Sequence, residues 1–386
     1  MFEKKVFPNI FEENPNPFPS PAETIIKSIV NSGEQKPQSQ NRNESKTGRL
    51  ASGYRLESAT NQGEMNQDDS NIYDEMEKDI LNADIPDTEK QKLLTNVLKL
   101  KGTKVNIMIT GATGSGKSST INAMFNTEVA KVGIGVDPET MTITKYNLGN
   151  LILWDSPGLG DGKEADNIHA KNIINKLSEL DEDGKALIDL VLVIVDGGSK
   201  DLGTSYELIN QVIIPNMGDD KEKRILVAIN QCDMGLKGRH WNHDKNEPEP
   251  PLVQFLEDKV WSVKRRIQEG TSVNITPIYY SAGFKETGVE QRPYNLSKLL
   301  YFIVTHTPSQ KRLAFVDNIN KDDAMWQDND DLKDYNNEIR KSFTETVIDY
   351  ASKGAEIGGK YFGTPGRIVG GVIGGVVGGF KSLFGG

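Results

Sequence analysis

The residues best equipped for chemistry run from Gly111 to Ser119, GATGSGKSS, directly after the apolar run Val105-Asn106-Ile107-Met108-Ile109-Thr110. They satisfy G-x-x-x-x-G-K-[ST], with Gly111 and Gly116 as the fixed glycines and Lys117 and Ser118 after them. Glycines let the backbone curl so that successive N–H groups face one phosphate. The expected phosphate-binding residues are therefore Gly111, Thr113, Gly114, Ser115, Gly116, Lys117, Ser118 and Ser119. Lys117 would reach the β- and γ-phosphates, and the Ser118 hydroxyl would take a Mg²⁺ position. A helix starting at Lys117 would add the positive end of its dipole.

Three further groups of residues extend this chemistry. Asp155-Ser156-Pro157-Gly158 stands at the end of an apolar run, with the D-x-x-G spacing of a γ-phosphate sensor. Asp155 could hold Mg²⁺ through a water, and the Gly158 N–H could bond the γ-phosphate until hydrolysis releases it. Before it lies a glycine-bearing loop, Gly133 to Thr142, in which Thr140 is the preferred second Mg²⁺ hydroxyl and Thr142 the alternative. Lys117, Thr140 and Gly158 are thus the expected catalytic residues, with Ser118, Thr140 and Asp155 at the metal. Asn230-Gln231-Cys232-Asp233 matches N-K-x-D except that Gln231 replaces lysine. Asp233 can accept from guanine N1–H and the exocyclic amine together, which adenine cannot offer. Asn230 would tie this loop to the phosphate loop, and Gln231 keeps the length to lie along the base without the charge. Ser281-Ala282-Gly283 follows another apolar run, where a backbone N–H would meet the guanine oxygen.

Positioning these residues requires regular strand–helix alternation, and the sequence supplies it. Strands are predicted at 105–110, 142–148, 151–155, 190–196, 225–230 and 275–280. Helices are predicted at 118–125, 165–180, 204–214, 253–269 and 295–304. Runs such as Leu190-Val-Leu-Val-Ile-Val195 are continuously apolar, as in strands covered on both faces. The expected fold class is α/β, a P-loop nucleotide domain with a doubly wound, mostly parallel sheet. The second and third strands, joined at Gly149-Asn150, read as a hairpin giving one antiparallel edge strand.

The expected organisation is a disordered arm over 1–70, a helical lead-in over 71–103, the nucleotide domain over 104–308, a helical segment over 309–356 and a glycine-rich apolar tail over 357–386. The arm is rich in Asn, Gln, Ser, Pro and Glu. In the helical segment Leu332, Tyr335, Ile339, Phe343 and Val347 share one face, which either packs on the nucleotide domain or awaits a partner helix. The tail carries glycine pairs at 370/371, 374/375 and 378/379, a period that puts them on one helical stripe. Its uncharged run Ile368 to Phe380 is 13 residues, ~20 Å as a helix against ~30 Å of hydrocarbon. Residues 351–386 carry four cations against Glu356 alone, net +3. That charge suits an anionic membrane surface, and the stripe suits self-association.

Over the whole chain, 386 residues with a net charge of −10 argue against a general nucleic-acid binder, and no DNA partner is expected. A single cysteine, Cys232, excludes an internal disulfide framework and suits a reducing compartment. With no signal-peptide core at the N-terminus, the expected location is cytoplasmic, with peripheral attachment at the inner face of the membrane through the tail. His169, His240 and His243 are scattered and read as surface or packing histidines rather than a zinc site.

Taken together, GSGKSSTINAMF, WDSPGLGDG and NQCD resemble the Era-like branch of the translation-factor class of GTPases. Among these they look closest to bacterial Era-related proteins often encoded near prophage genes, with a fainter likeness to the interferon-inducible immunity GTPases. The resemblance covers about residues 84 to 308. It implies GTP/GDP and Mg²⁺ binding, slow hydrolysis and a conformational switch, with Lys117, Ser118, Thr140, Asp155, Gly158, Asn230 and Asp233 at the family's functional positions. Two departures matter. Leu159 follows D-x-x-G where Ras-like proteins carry a water-orienting glutamine, and leucine cannot polarise water. The missing group must come from another switch residue (Asp161 and Glu139 are the nearby polar candidates), from a homodimer through the nucleotide face, or from a partner. Gly114 stands where potassium-stimulated relatives carry an asparagine, so potassium dependence is not expected.

The leading functional expectation is a GTP-binding switch enzyme coupled to a membrane or partner. The first alternative is a stress or defence effector whose tail acts on membranes under nucleotide control. A ribosome-assembly factor is the second, against which stand the acidic balance and the lack of a recognisable RNA-binding module. An ATPase would require Asp233 not to face the base.

Overall fold

A computed structural model of the chain describes residues 71–125, 142–286 and 289–351. The arm over 1–70, the loop bearing Glu139 and Thr140, and the glycine-rich tail lie outside the described residues.

The central sheet has six strands. They are β1 (Val105–Gly111), β2 (Thr144–Leu148), β3 (Leu151–Asp155), β4 (Leu190–Asp196), β5 (Ile225–Asn230) and, past two short hairpin strands β6 (Trp241–Asn242) and β7 (Glu247–Pro248), β8 (Ile278–Tyr279). Their order is β2-β3-β1-β4-β5-β8, all neighbours parallel except the antiparallel β2–β3 pair. Here the fold matches the sequence expectation, including the antiparallel edge. Strand β2 alternates between exposed and half-buried residues, while β1 and β5 are buried throughout. A last hairpin pairs β9 (Phe284–Glu286) with β10 (Val289–Gln291).

Alternating side chains of the inner strands enter two different cores. Leu190, Leu192 and Ile194 join one apolar cluster, and Val191, Val193 and Val195 join the other. Period-two alternation with both faces apolar needs helices on both sides, and the chain supplies them. The first face is covered by α1 (Ile72–Asn82), α2 (Asp87–Lys101) and α3 (Lys117–Met124). The opposite face is covered by α4 (Lys163–Leu177), by the segment from α5 (Gly203–Glu207) to Asn216 and, beyond the short α6 (Lys221–Arg224), by α7 (Pro250–Thr271). Back on the first face lie α8 (Leu296–His306) and α9 (Tyr335–Thr346).

Several boundaries differ from expectation for local reasons. The predicted strand 275–280 shrinks to two residues, because Pro277 has no N–H to give the ladder. The predicted helix 204–214 begins as α-helix, widens to a π-turn over Leu208–Ile213 and tightens to 3₁₀ at Pro215. A proline there cannot donate the next i→i−4 bond.

The face shared by Tyr335, Ile339, Phe343 and Val347 is buried within the chain, whereas Leu332 precedes the helix and is 75% exposed. Polar ties reinforce that packing: Arg312 Nη1 donates to Ser342 Oγ at 2.8 Å, and Thr346 Oγ1 to the Ser309 carbonyl at 2.9 Å. Of the two readings of this face, packing on the nucleotide domain is the one observed. Truncating Phe343 to alanine should therefore cost about 3–5 kcal/mol in urea denaturation of the full chain. Leu332→Ala should change stability by less than about 0.5 kcal/mol. Equal, small effects of both substitutions would contradict the packing.

Candidate functional site

Strands β1, β3 and β5 end at one edge of the sheet, and each delivers one of the polar motifs there. From β1 the backbone turns at Gly111 into the loop that starts α3, and Lys117 is the first residue of that helix. Lys117 is 9% exposed, and its Nζ donates to the carbonyls of Ala112 at 3.1 Å and Gly111 at 3.4 Å. Burial pushes its pKa down, against the pull of Asp155 and Asp161. A buried ammonium satisfied only by neutral carbonyls is ready for an anion.

At the end of β3, Asp155 is 1% exposed, and burial raises its pKa to about 6 despite the Lys117 charge and a hydrogen bond with Ser118. Its Oδ1 is buried and has no hydrogen-bond partner among the described residues. A carboxylate with one orphaned oxygen beside a serine hydroxyl suits a hard divalent cation, which takes oxygen ligands. Asp155 and Ser118 thus fit the expected Mg²⁺ position.

The segment after Asp155 is docked on the phosphate loop. Thr113 N–H donates to the Leu159 carbonyl at 3.0 Å, and any Cβ at Gly158 would overlap Thr113, so only glycine allows the approach. His169 Nδ1, on α4 and buried, lies 3.0 Å from the Gly158 carbonyl. Asp166 accepts from Gly160 N–H at 2.8 Å and Asp161 N–H at 3.2 Å. Leu159 itself packs into the core beneath α4, at 6% exposure. Its role in this fold is therefore to anchor this segment. His169 and Asp166 escaped sequence reasoning, since no spacing in the chain announces a contact made across the fold. Thr142, the alternative switch threonine, is exposed ahead of β2.

At the end of β5, Asn230 clamps two loops. Its Nδ2 donates to the Ser115 carbonyl at 2.9 Å, and its Oδ1 accepts from Ala282 N–H at 2.9 Å. The first bond is the tie expected from sequence. The second ties in the Ser281-Ala282 loop, whose Ala282 N–H it engages. Gly116, at φ +87°, permits the clamp, for a Cβ there would overlap Asn230 Nδ2. Gln231 adds a second tie to the phosphate loop, its Nε2 donating to the Gly114 carbonyl at 2.8 Å. Asp233 is 8% exposed with Oδ1 buried and unpartnered among the described residues. It lines a cavity of about 620 Å³ with Phe284 and Gln291. A larger cavity of about 890 Å³ lies by the amino ends of β4 and β5, away from every one of these motifs.

This sheet, with the glycine-rich loop at the start of α3 and the polar motifs at the ends of β3 and β5, is an α/β P-loop GTPase fold. Residues 106–231 match the family model described as a 50S ribosome-binding GTPase. The uncharacterised protein YkfA of Escherichia coli K12 is 27% identical over 154 residues, 39% of this chain and 50% of that protein. The chain thus spans about half the length of that curated relative. Among solved structures, Toc33 from Arabidopsis thaliana, crystallised with Mg²⁺ and GMPPNP, is 17% identical at a TM-score of 0.35, covering 55% of this chain and 85% of its own. Aquifex aeolicus Era bound to GDP·AlF₄⁻ is 19% identical at a TM-score of 0.33, covering 53% and 58%.

The raised pKa of Asp155 has a consequence for the metal-free protein. An acid whose folded pKa lies above its unfolded value of 3.8 binds more protons folded than unfolded between the two values. Stability from this group is full at low pH and is lost as pH rises through about 6. Asp155→Asn removes that charge, so in excess EDTA it should be more stable than wild type at pH 8, by at most about 3 kcal/mol. The difference should vanish near pH 4. Melting curves across that range check this, and a variant less stable than wild type at pH 8 would contradict it.

Proposed function

We propose that this protein is a GTP-binding switch enzyme that hydrolyses GTP slowly to GDP and phosphate. The observation that carries the reading is the set of buried polar atoms at one sheet edge: Lys117 Nζ held only by carbonyls, Asp155 Oδ1 and Asp233 Oδ1. Each lacks the partner that a phosphate, a divalent cation and a guanine would respectively supply. Asp233 selects guanine because an adenine would leave its carboxylate unpaired.

In this reading, N–H groups of the phosphate loop and Lys117 bind the β- and γ-phosphates and stabilise the charge that develops as the terminal phosphoryl leaves. Ser118 and Asp155, with Thr140 from the loop before β2, would hold Mg²⁺, which would neutralise phosphate charge. Gly158 N–H senses the γ-phosphate. His169 and Thr113 engage the successive carbonyls of Gly158 and Leu159, so loss of that phosphate would be felt along α4. Leu159 is committed to packing and supplies no water-orienting group. Hydrolysis is therefore slow until a second copy or a partner completes the nucleotide face.

The Era-like affinity suggested by WDSPGLGDG and NQCD belongs to the same proposal, as does a cytoplasmic protein attached peripherally to an anionic membrane surface, or to another copy, through residues 357–386. That attachment rests on the net +3 charge and glycine stripe of the tail. Among the described residues no helix is long and apolar enough to cross a membrane.

The test is phosphate release from Mg·GTP and Mg·ATP over a range of protein concentrations. GTP should be turned over with a specific rate that rises with concentration, ATP should not, and Lys117→Ala should lose at least about 100-fold, on the scale of removing one charge-stabilising group. Equal turnover of ATP would remove the guanine reading, and a concentration-independent rate would remove the dimer.

A further inference from the structure

The Asn230 clamp is one arc of a closed ring of contacts, and another arc lies outside residues 106–231, which carry the family match. Residues 319–330, between α8 and α9, hold the end of α3 at one end and the turn before α8 at the other. At the first end Ile319 bridges to Phe125, Asn320 N–H donates to the Met124 carbonyl at 2.9 Å, and Asn320 Nδ2 donates to the Ala123 carbonyl at 3.0 Å. These are among the last carbonyls of an eight-residue helix, which the helix itself cannot bond. At the other end Asn295 N–H donates to the Asp328 carbonyl at 2.8 Å, and Asp330 N–H to Asn295 Oδ1 at 2.9 Å. The Asp328 carboxylate accepts from Arg292 Nε at 2.9 Å and Asn246 Nδ2 at 2.8 Å. Trp326, 1% exposed, anchors the middle, its Nε1 donating to the Asn320 carbonyl at 2.9 Å.

Followed round, the contacts close on themselves. Tyr294, next to Asn295, exchanges both backbone bonds with Ser281 at 2.9 Å. Ala282 follows Ser281 and is held by Asn230, and Asn230 also holds the phosphate loop. That loop starts α3, whose far end Asn320 caps. A short helix freed of its cap frays, since it has few bonds of its own to resist. Lifting residues 319–330 therefore loosens both the helix behind Lys117 and the loop that Asn230 clamps. The same stretch is tied to α9, for Asp330 accepts at 2.8 Å from the hydroxyl of Tyr335, the first residue of that helix.

We propose that residues 319–330 are a strap that opens as one unit with the nucleotide site, with Asn320 and Asp328 as its positioning residues, so that a bound guanine nucleotide holds α9 in place and an empty site lets the strap lift. This inference rests on the GTP-binding reading above and adds to it the element through which occupancy reaches the C-terminal helix. By linkage, whatever pulls α9 and the strap away weakens nucleotide binding by the same factor.

The experiment is amide hydrogen exchange of the full chain, without nucleotide and with Mg·GDP at about 100 times the dissociation constant found by calorimetry. Asn320 N–H and Asp330 N–H are the reporters, because each is itself a bond of the strap. An opening that empties the site is suppressed by the factor 1 + [L]/Kd, so both amides should exchange about 100-fold more slowly with nucleotide. Their protection without nucleotide should lie below that of β4, as for a unit that opens short of global unfolding. Asp328→Ala removes the carboxylate at one end only. It should speed exchange of Asn320 N–H, at the other end, about tenfold, the scale of one lost hydrogen bond to a charged group, and should speed Asp330 N–H equally. A strap that merely packs locally would leave Asn320 N–H unmoved. Reporter amides unchanged by nucleotide while those of α3 slow, reporters as protected as β4 without nucleotide, or an Asp328→Ala effect confined to Asp330 would each overturn the inference and leave the GTP-binding reading intact. Failure of wild type to bind Mg·GDP in the calorimeter would overturn that reading and the inference with it.

Discussion

The two hydrogen bonds made by the Asn230 side chain hold the site in one piece. One amide nitrogen and one amide oxygen join the phosphate loop, through the Ser115 carbonyl, to the Ser281-Ala282 loop, through an N–H. Those loops leave β1 and β8, which are separated in the sheet by β4 and β5. A clamp of this kind works only because Asn230 is 2% exposed, so that water does not compete for either bond. It also explains why position 116 must be glycine: the clamp needs the space a Cβ would occupy. The phosphate loop and the Ser281-Ala282 loop are thus mechanically one unit.

Around that unit, the chain carries several buried polar atoms that its own folding does not satisfy. Asp155 Oδ1, Asp233 Oδ1 and Gln291 Nε2 are all of this kind, and the Lys117 ammonium donates to backbone carbonyls while Asp155 and Asp161 lie near enough to favour its charge. Interiors ordinarily avoid such atoms because each costs on the order of 1–3 kcal/mol. Atoms of this kind occur elsewhere among the described residues too, but at the carboxyl edge of the sheet a ligand could bring the missing partners without the protein having to rearrange. The raised pKa of Asp155 expresses the same strain electrostatically: burial outweighs both the lysine and the serine beside it.

Much of this was legible in the chain because glycine spacing and long apolar runs are local signals. GATGSGKSS, DSPG and NQCD each lie where a buried strand ends, and the strands predicted at 151–155, 190–196 and 225–230 coincide with those observed. What was not legible depends on contacts across the fold. The hairpin β9–β10 consists of three-residue strands, too short for alternation to register. His169 read as one of several scattered histidines, yet it meets the Gly158 carbonyl. Nothing in the spacing of NQCD shows that the Gln231 amide reaches the Gly114 carbonyl of the phosphate loop. The helical face at Tyr335 to Val347 was equally compatible with a partner, since amphipathicity says that a face is covered and not by what.

The central claim is that Asp233 reads a guanine at the cavity beside this clamp, and replacing its carboxylate by an amide tests it most directly. Asp233→Asn exchanges one acceptor oxygen for a donor, which suits the 2-keto group of xanthine in place of the 2-amino group of guanine. Calorimetric titration of both proteins with Mg·GDP and Mg·XDP should show wild type preferring GDP and the variant preferring XDP. Retention of the same GDP preference by the variant would contradict the account.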